Sequence, residues 1–216
     1  MPHNDLAPPV CPGIPRRLAS VWLGAALLGG LLGGCDNVSQ GARATPFKGI
    51  DISGAPYGRG FTLTDFNGQS RTLADHRGKV VMLYFGFVQR PDVCPTALAR
   101  ASAVMQQLGT DAAQVQLLFV TVDPERDKPE LLRDYMASFD PSFMALTGSA
   151  EQIKAAADEF RVYYKKVPTG SSYTMDHTAL TYLFDREGRI RVVLRHEQTA
   201  DDYTADVRQL LAEKQV

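Results

Sequence analysis

The stretch FGFVQRPDVCPTAL, Phe85 to Leu98, decides the fold. It closes an apolar run, KVVMLYFGF (Lys79 to Phe87), that is too uniformly apolar for a strand with one wet face. Such a run suits a strand covered on both sides. Arg90, Pro91 and Asp92 interrupt it, and Pro95 suits the first turn of a helix, where its missing N–H costs nothing. Leu98, Ala101, Met105 and Leu108 then recur at the spacing of one helical face. A buried strand feeding a helix is half of an α/β unit. Cys94 stands just before the helix that Pro95 begins. The unpaired N–H groups and dipole of a helix N-terminus favour a thiolate there and lower the thiol pKa. Arg90, four residues earlier, adds a positive charge that acts in the same direction. The competing reading is a buried structural cysteine, with Arg90 reaching solvent.

Downstream, VQLLFVTVD (Val115 to Asp123) reads as a second buried strand. Asp127 and Glu130 have capping-box spacing ahead of Leu132, Tyr135, Met136 and Phe139. Ser149 and Gln152 repeat it ahead of Ile153, Ala156, Ala157 and Phe160. ALTYLFD and RIRVVLRH flank a tight turn at Arg186-Glu187-Gly188, and Tyr203, Val207, Leu210 and Leu211 mark a last helix. Upstream, FTLTDFNGQSRTLAD (Phe61 to Asp75) reads as a hairpin about Asn67-Gly68. The pattern predicts an α/β domain with a mixed central sheet, helices on both faces and an added N-terminal β-hairpin. This is the order of a thioredoxin-like fold, and Cys94 occupies the place of that fold's reactive cysteine.

The N-terminal part is a different object. Arg16-Arg17 precede an apolar run of about 15 residues, short for a membrane span, that ends in Leu32-Gly33-Gly34-Cys35. Residues 1–34 read as a lipoprotein-type signal peptide, with Cys35 lipidated as the first mature residue. The alternatives are an ordinary signal peptide or an uncleaved anchor. Residues 35–60, polar and rich in Gly and Pro, read as a flexible tether, and 61–216 as the domain. Export puts the domain in an oxidising compartment. Of the three cysteines, Cys11 leaves with the leader and Cys35 carries lipid, so Cys94 is the sole thiol of the mature chain and has no intramolecular partner. A formal net charge of -1 argues against nucleic-acid binding and against an anionic membrane as the domain's own ligand.

Four stretches taken together resemble the Sco/SenC family of copper chaperones: FTLTDFNGQSRTLADHRGKVVMLYF, YFGFVQRPDVCPTAL, FVTVDPERD (Phe119 to Asp127) and YTMDHTALTYLFDREGRIR (Tyr173 to Arg191). The resemblance covers about Phe61 to Leu211. It implies a thioredoxin-like fold, a membrane tether and a place on the periplasmic face of the inner membrane. It also implies copper, as Cu(I) or Cu(II), as what the protein handles. The implied partner is the cytochrome c oxidase subunit that carries the copper-A site, with other periplasmic copper or thiol-redox proteins beside it. The family holds metal with two cysteines of a CxxxC motif and a distant histidine. The second cysteine corresponds to Cys94 and the histidine to His177. The first corresponds to Arg90, so one ligand is missing.

That departure has chemical consequences. Loss of one soft ligand of three weakens a copper site, a fixed cation in its place repels the metal, and no CxxxC disulfide can form. What remains is a Cys94–His177 pair. Met175 would face the same side as His177 in an extended segment, as packing or as a thioether ligand, and Asp176 would orient the imidazole. His76 and His196 read as solvated or structural. Asp123 and Asp127 read as capping and turn residues, and Tyr163 to Lys166 as strand and surface. Two other functions compete. VCPT (Val93 to Thr96) is similar to the peroxidatic loop of peroxiredoxins, which suggests a single-cysteine thiol peroxidase, although Pro91 stands where that family has Thr or Ser. The other is a non-catalytic binding module.

Overall fold

A computed structural model describes residues 47–89 and 93–213, Val93 and Cys94 by backbone alone. Residues 1–34, read above as a signal peptide, and Cys35 and Arg90 lie outside the described residues. In chain order the elements are β1 (Ile50–Asp51), β2 (Thr62–Asp65), β3 (Ser70–Thr72), β4 (Val80–Gly86), α1 (Val93–Leu108), β5 (Val115–Thr121), α2 (Pro129–Ala137), β6 (Met144–Thr147), α3 (Ala150–Glu159), β7 (Tyr164–Thr169), β8 (Ser172–His177), β9 (Leu180–Phe184), β10 (Ile190–Arg195) and α4 (Ala200–Ala212). Among the described residues, one sheet runs in the order β1-β10-β9-β4-β5-β6-β2-β3, and β7 and β8 form a separate two-stranded sheet. β4, β5 and β6 are parallel, and β9 lies antiparallel against β4. The mixed sheet and the hairpin at its edge are those expected from the sequence.

The continuous apolar run of β4 is explained by two cores. Val80, Met82 and Tyr84 enter one of them with Leu98 and Val104 of α1, Leu132 and Met136 of α2, and Tyr203 and Val207 of α4. Val81, Leu83 and Phe85 enter the other with Ile153, Ala156 and Ala157 of α3. Successive side chains of a strand point to opposite faces, so a strand with helices on both sides must be apolar at every position.

Three expectations are corrected. The helix begins at Val93, so Cys94 lies inside the first turn of α1 rather than before it. At α2 the N-cap is Lys128, with Pro129 as the first helical residue, and Asp127 makes no cap. The box at Ser149 and Gln152 does form. The third concerns the tether, because residues 47–60 belong to the domain. Phe47 is buried in the core, Ile50 and Asp51 pair with Val193 and Val192, and the N–H groups of Lys48 and Gly49 donate to the buried Asp206 at 2.6 and 2.8 Å. A two-residue strand carries no readable periodicity, and its partners lie some 150 residues away in the chain. Strand β6 also went unanticipated.

Candidate metal and thiol site

The site is built at the C-terminal ends of β4 and β5, where loops of parallel strands gather function. β4 ends at Gly86. Phe87 follows, fully buried, and seven residues later Cys94 stands in the first turn of α1. His177 closes β8. Its ring meets that of Phe87 edge-on at 5.7 Å and that of Tyr84 at 6.4 Å, and Nδ1 lies 3.4 Å from the carbonyl oxygen of Met175. The fold therefore seats His177 against the exit of the strand that leads to Cys94.

Met175 and His177 share the buried face of β8, as their spacing requires. Met175 is packed among Val162, Val122 and other residues of the α3-side core, which accounts for it as packing. Asp176 points the other way and is exposed. It does not orient the imidazole, because neighbours in a strand face opposite sides. His76 is a buried structural residue in a 3-10 turn after β3, its pKa lowered by burial. Tyr163 is a surface residue, 57% exposed.

Sequence reasoning passed over the device that holds the hairpin β7–β8. Arg126, in the loop after β5, pairs through Nε with Asp123 Oδ2 at 2.5 Å and donates through Nη1 to the carbonyl of Tyr173 at 2.8 Å. Its guanidinium stacks on the Tyr173 ring at 3.7 Å and lies 6.0 Å from the Phe87 ring. Tyr173 donates its hydroxyl to Asp123 Oδ1 at 2.9 Å, and burial together with that bond raises its pKa. Lys166 pairs with Glu125 at 2.6 Å and lies 4.7 Å over the same ring. Hydrogen bonding from Lys166 holds Glu125 below the ordinary carboxylate range. The segment Asp123–Arg126 thus clasps the hairpin that carries His177. The letters VDPERD contain these residues, but nothing local says that Arg126 reaches a carbonyl 47 positions away.

The next residue, Asp127, faces inward. Its Oδ2 accepts from Thr121 Oγ1 at 2.6 Å and from the Val88 N–H at 3.1 Å, and burial pushes its pKa up to about 6. A cleft of about 490 Å³ opens beside the hairpin, lined by Val122, Ile153, Val162, Tyr163 and Met175 among others. Among the described residues no group of three His, Cys, Asp or Glu side chains could hold a metal. No helix among them is long and apolar enough to cross a membrane.

Comparison with known proteins reaches the same elements. A family model described as SCO1/SenC matches residues 51–212. A SCO2-like protein of Rickettsia prowazekii is 39% identical over 132 residues, covering 60% of this chain and 64% of its own length. The match therefore spans somewhat less than two thirds of that relative. The mitochondrial SCO2 homolog of Bos taurus is 37% identical over 94% of this chain and 78% of its own. Among solved structures, Bradyrhizobium japonicum ScoI with copper bound superposes with a TM-score of 0.66 at 42% identity, over 71% of this chain and 99% of its own. The family model spans the domain from β1 to α4, including the strand–helix unit of Cys94 and the hairpin of His177, and the chain belongs to the SCO1/SenC family.

Proposed function

We propose that this protein is a membrane-tethered, copper-handling assembly factor for the copper-A site of cytochrome c oxidase, and that Cys94 and His177 are its metal ligands. One observation carries the reading. The imidazole of His177 rests against Phe87, at the exit of the strand from which the chain runs to Cys94. A thiolate at a helix N-terminus and an imidazole are a donor pair suited to copper. The copper-bound relative supports the metal. Copper is cargo here: the protein takes it up and yields it to the oxidase subunit. With Arg90 at the position of the family's first cysteine, the site has two strong donors in place of three and a nearby cation, so its affinity is low. Cys35 carries the lipid, and the domain works at the periplasmic face of the inner membrane.

Titration of the reduced protein with Cu(I) against a competing chelator tests this reading, with Arg90→Cys and His177→Ala alongside. The expected result is weak binding of one copper, lost in His177→Ala and greatly tightened in Arg90→Cys. Equal binding by the native chain and His177→Ala would overturn it. A second reading draws on Cys94 lying inside the first turn of α1, where its thiolate is favoured: a lone redox thiol that reduces peroxide. Stopped-flow mixing with hydrogen peroxide decides, since that reading requires a rate above that of free cysteine at equal thiolate fraction.

A further inference from the structure

Asp127 is 1% exposed, and its bonds are not those of a helix cap. The β4–β5 ladder ends with the Val122 N–H donating to the Gly86 carbonyl at 2.8 Å. Two residues on, the Val88 N–H meets Asp127 Oδ2. The same oxygen takes the Thr121 hydroxyl, and the Asp127 N–H donates to the Asp123 carbonyl at 3.0 Å. Oδ1 is buried and has no hydrogen-bond partner among the described residues. Burying a carboxylate is costly, and a neutral side chain would fill the space for less. What the carboxylate provides is a stronger acceptor for an amide at the edge of the site.

We propose that Asp127 is a positioning residue for Cys94: its buried carboxylate grips the chain at Val88, where β4 gives way to the segment leading to Cys94, and so sets how α1 presents the thiol. This rests on Cys94 as the working residue of the proposed site. The grip is also pH-dependent. Burial raises the Asp127 pKa to about 6, the like charge of Asp123 acts in the same direction, and Arg126 opposes them. Val88, just past the end of β4, and Thr121 of β5, which face it, do not titrate. Above that pH Val88 is held by a carboxylate, and below it by a neutral acid, a weaker acceptor.

The test uses the whole chain, reduced and ¹⁵N-labelled, with Asp127→Asn and Asp127→Ala. Asparagine keeps an acceptor oxygen without the charge, and alanine keeps neither. The Val88 amide shift is followed from about pH 5 to about pH 7.5. Alkylation of Cys94 by iodoacetamide is followed at about pH 8, read by mass spectrometry on the peptide that carries it. In the native chain the Val88 amide should move with a midpoint near 6, as Asp127 titrates, and in Asp127→Asn it should not. Asp127→Ala should slow Cys94 alkylation about five-fold, while Asp127→Asn stays within about two-fold of native. Alanine at the native rate, or asparagine as slow as alanine, would overturn the proposal. So would a native Val88 amide that shows no step, and that result stands even if the alanine variant does not fold. No copper enters the assay, so failure of the chain to bind copper leaves each result readable.

Discussion

His177 and Cys94 are held by opposite means. His177 ends a hairpin outside the main sheet, and that hairpin is clasped from beyond by charged and aromatic side chains: Arg126 on Tyr173, Tyr173 on Asp123, Lys166 on Glu125. Cys94 stands in the first turn of α1, the next helix after the central strand β4, and the chain leaving that strand is gripped at Val88 by one buried carboxylate. The clasp works through several contacts at a half-open surface, the grip through a single dry one. The outer contacts of the clasp share their load and lose little singly, and only its buried Arg126–Asp123 pair costs much when broken alone. A dry polar contact concentrates its energy in one group and is sensitive to protonation. The two devices are consecutive in sequence, with Asp123 to Arg126 forming the clasp and Asp127 the grip.

Phe87 belongs to both halves, since it touches the His177 ring and lies under Arg126 while leading to Cys94. Phe87→Ala should therefore have the largest effect, about 4 kcal/mol of stability in urea unfolding, as for a large aromatic removed from a core. Arg126→Met should cost about 3 kcal/mol, because it leaves the buried Asp123 carboxylate without its cation. Hydrogen exchange should then quicken in β8 and not in β4, and equal quickening in both would dissolve the distinction between clasp and grip. Asp127 gives a smaller effect that depends on pH. Its folded pKa of about 6 lies above the ordinary aspartate value of 3.8, so the native state binds the extra proton. That contribution to stability is whole below about pH 4 and lost as pH rises through about 6. Native stability relative to Asp127→Asn should fall by roughly 2 kcal/mol between those limits and stay level above them, measured by unfolding at each pH. Tyr173→Phe removes one hydroxyl bond to Asp123 and leaves the ring under Arg126, at a cost of about 1 kcal/mol. Lys166→Ala breaks an exposed pair and should leave the unfolding midpoint where it was.

The central α/β unit was legible because its causes are local. The apolar run to Phe87 and the helical spacing from Leu98 to Leu108 lie in consecutive residues, and the structure buries them as two cores demand. The Ser149–Gln152 box was legible for the same reason, since both partners lie within one turn. Asp127 and Glu130 have identical spacing, yet tertiary contacts took Asp127 for Thr121 and Val88. Spacing alone cannot tell a cap from a carboxylate claimed by another strand.

By itself, then, the sequence determined the α/β pattern, the position of Cys94 at the start of a helix, and the shared face of Met175 and His177. These depend on neighbours within a few residues, where backbone periodicity and cap geometry act. Only the tertiary structure decided that Phe47 to Asp51 join the domain, that Asp176 turns away from His177, that Arg126 clasps the hairpin and that Asp127 grips Val88. Each of these brings together groups distant in the chain or turns a side chain to a face fixed by distant packing. Short-range pattern carries no information on which buried acceptor a distant amide or guanidinium will meet.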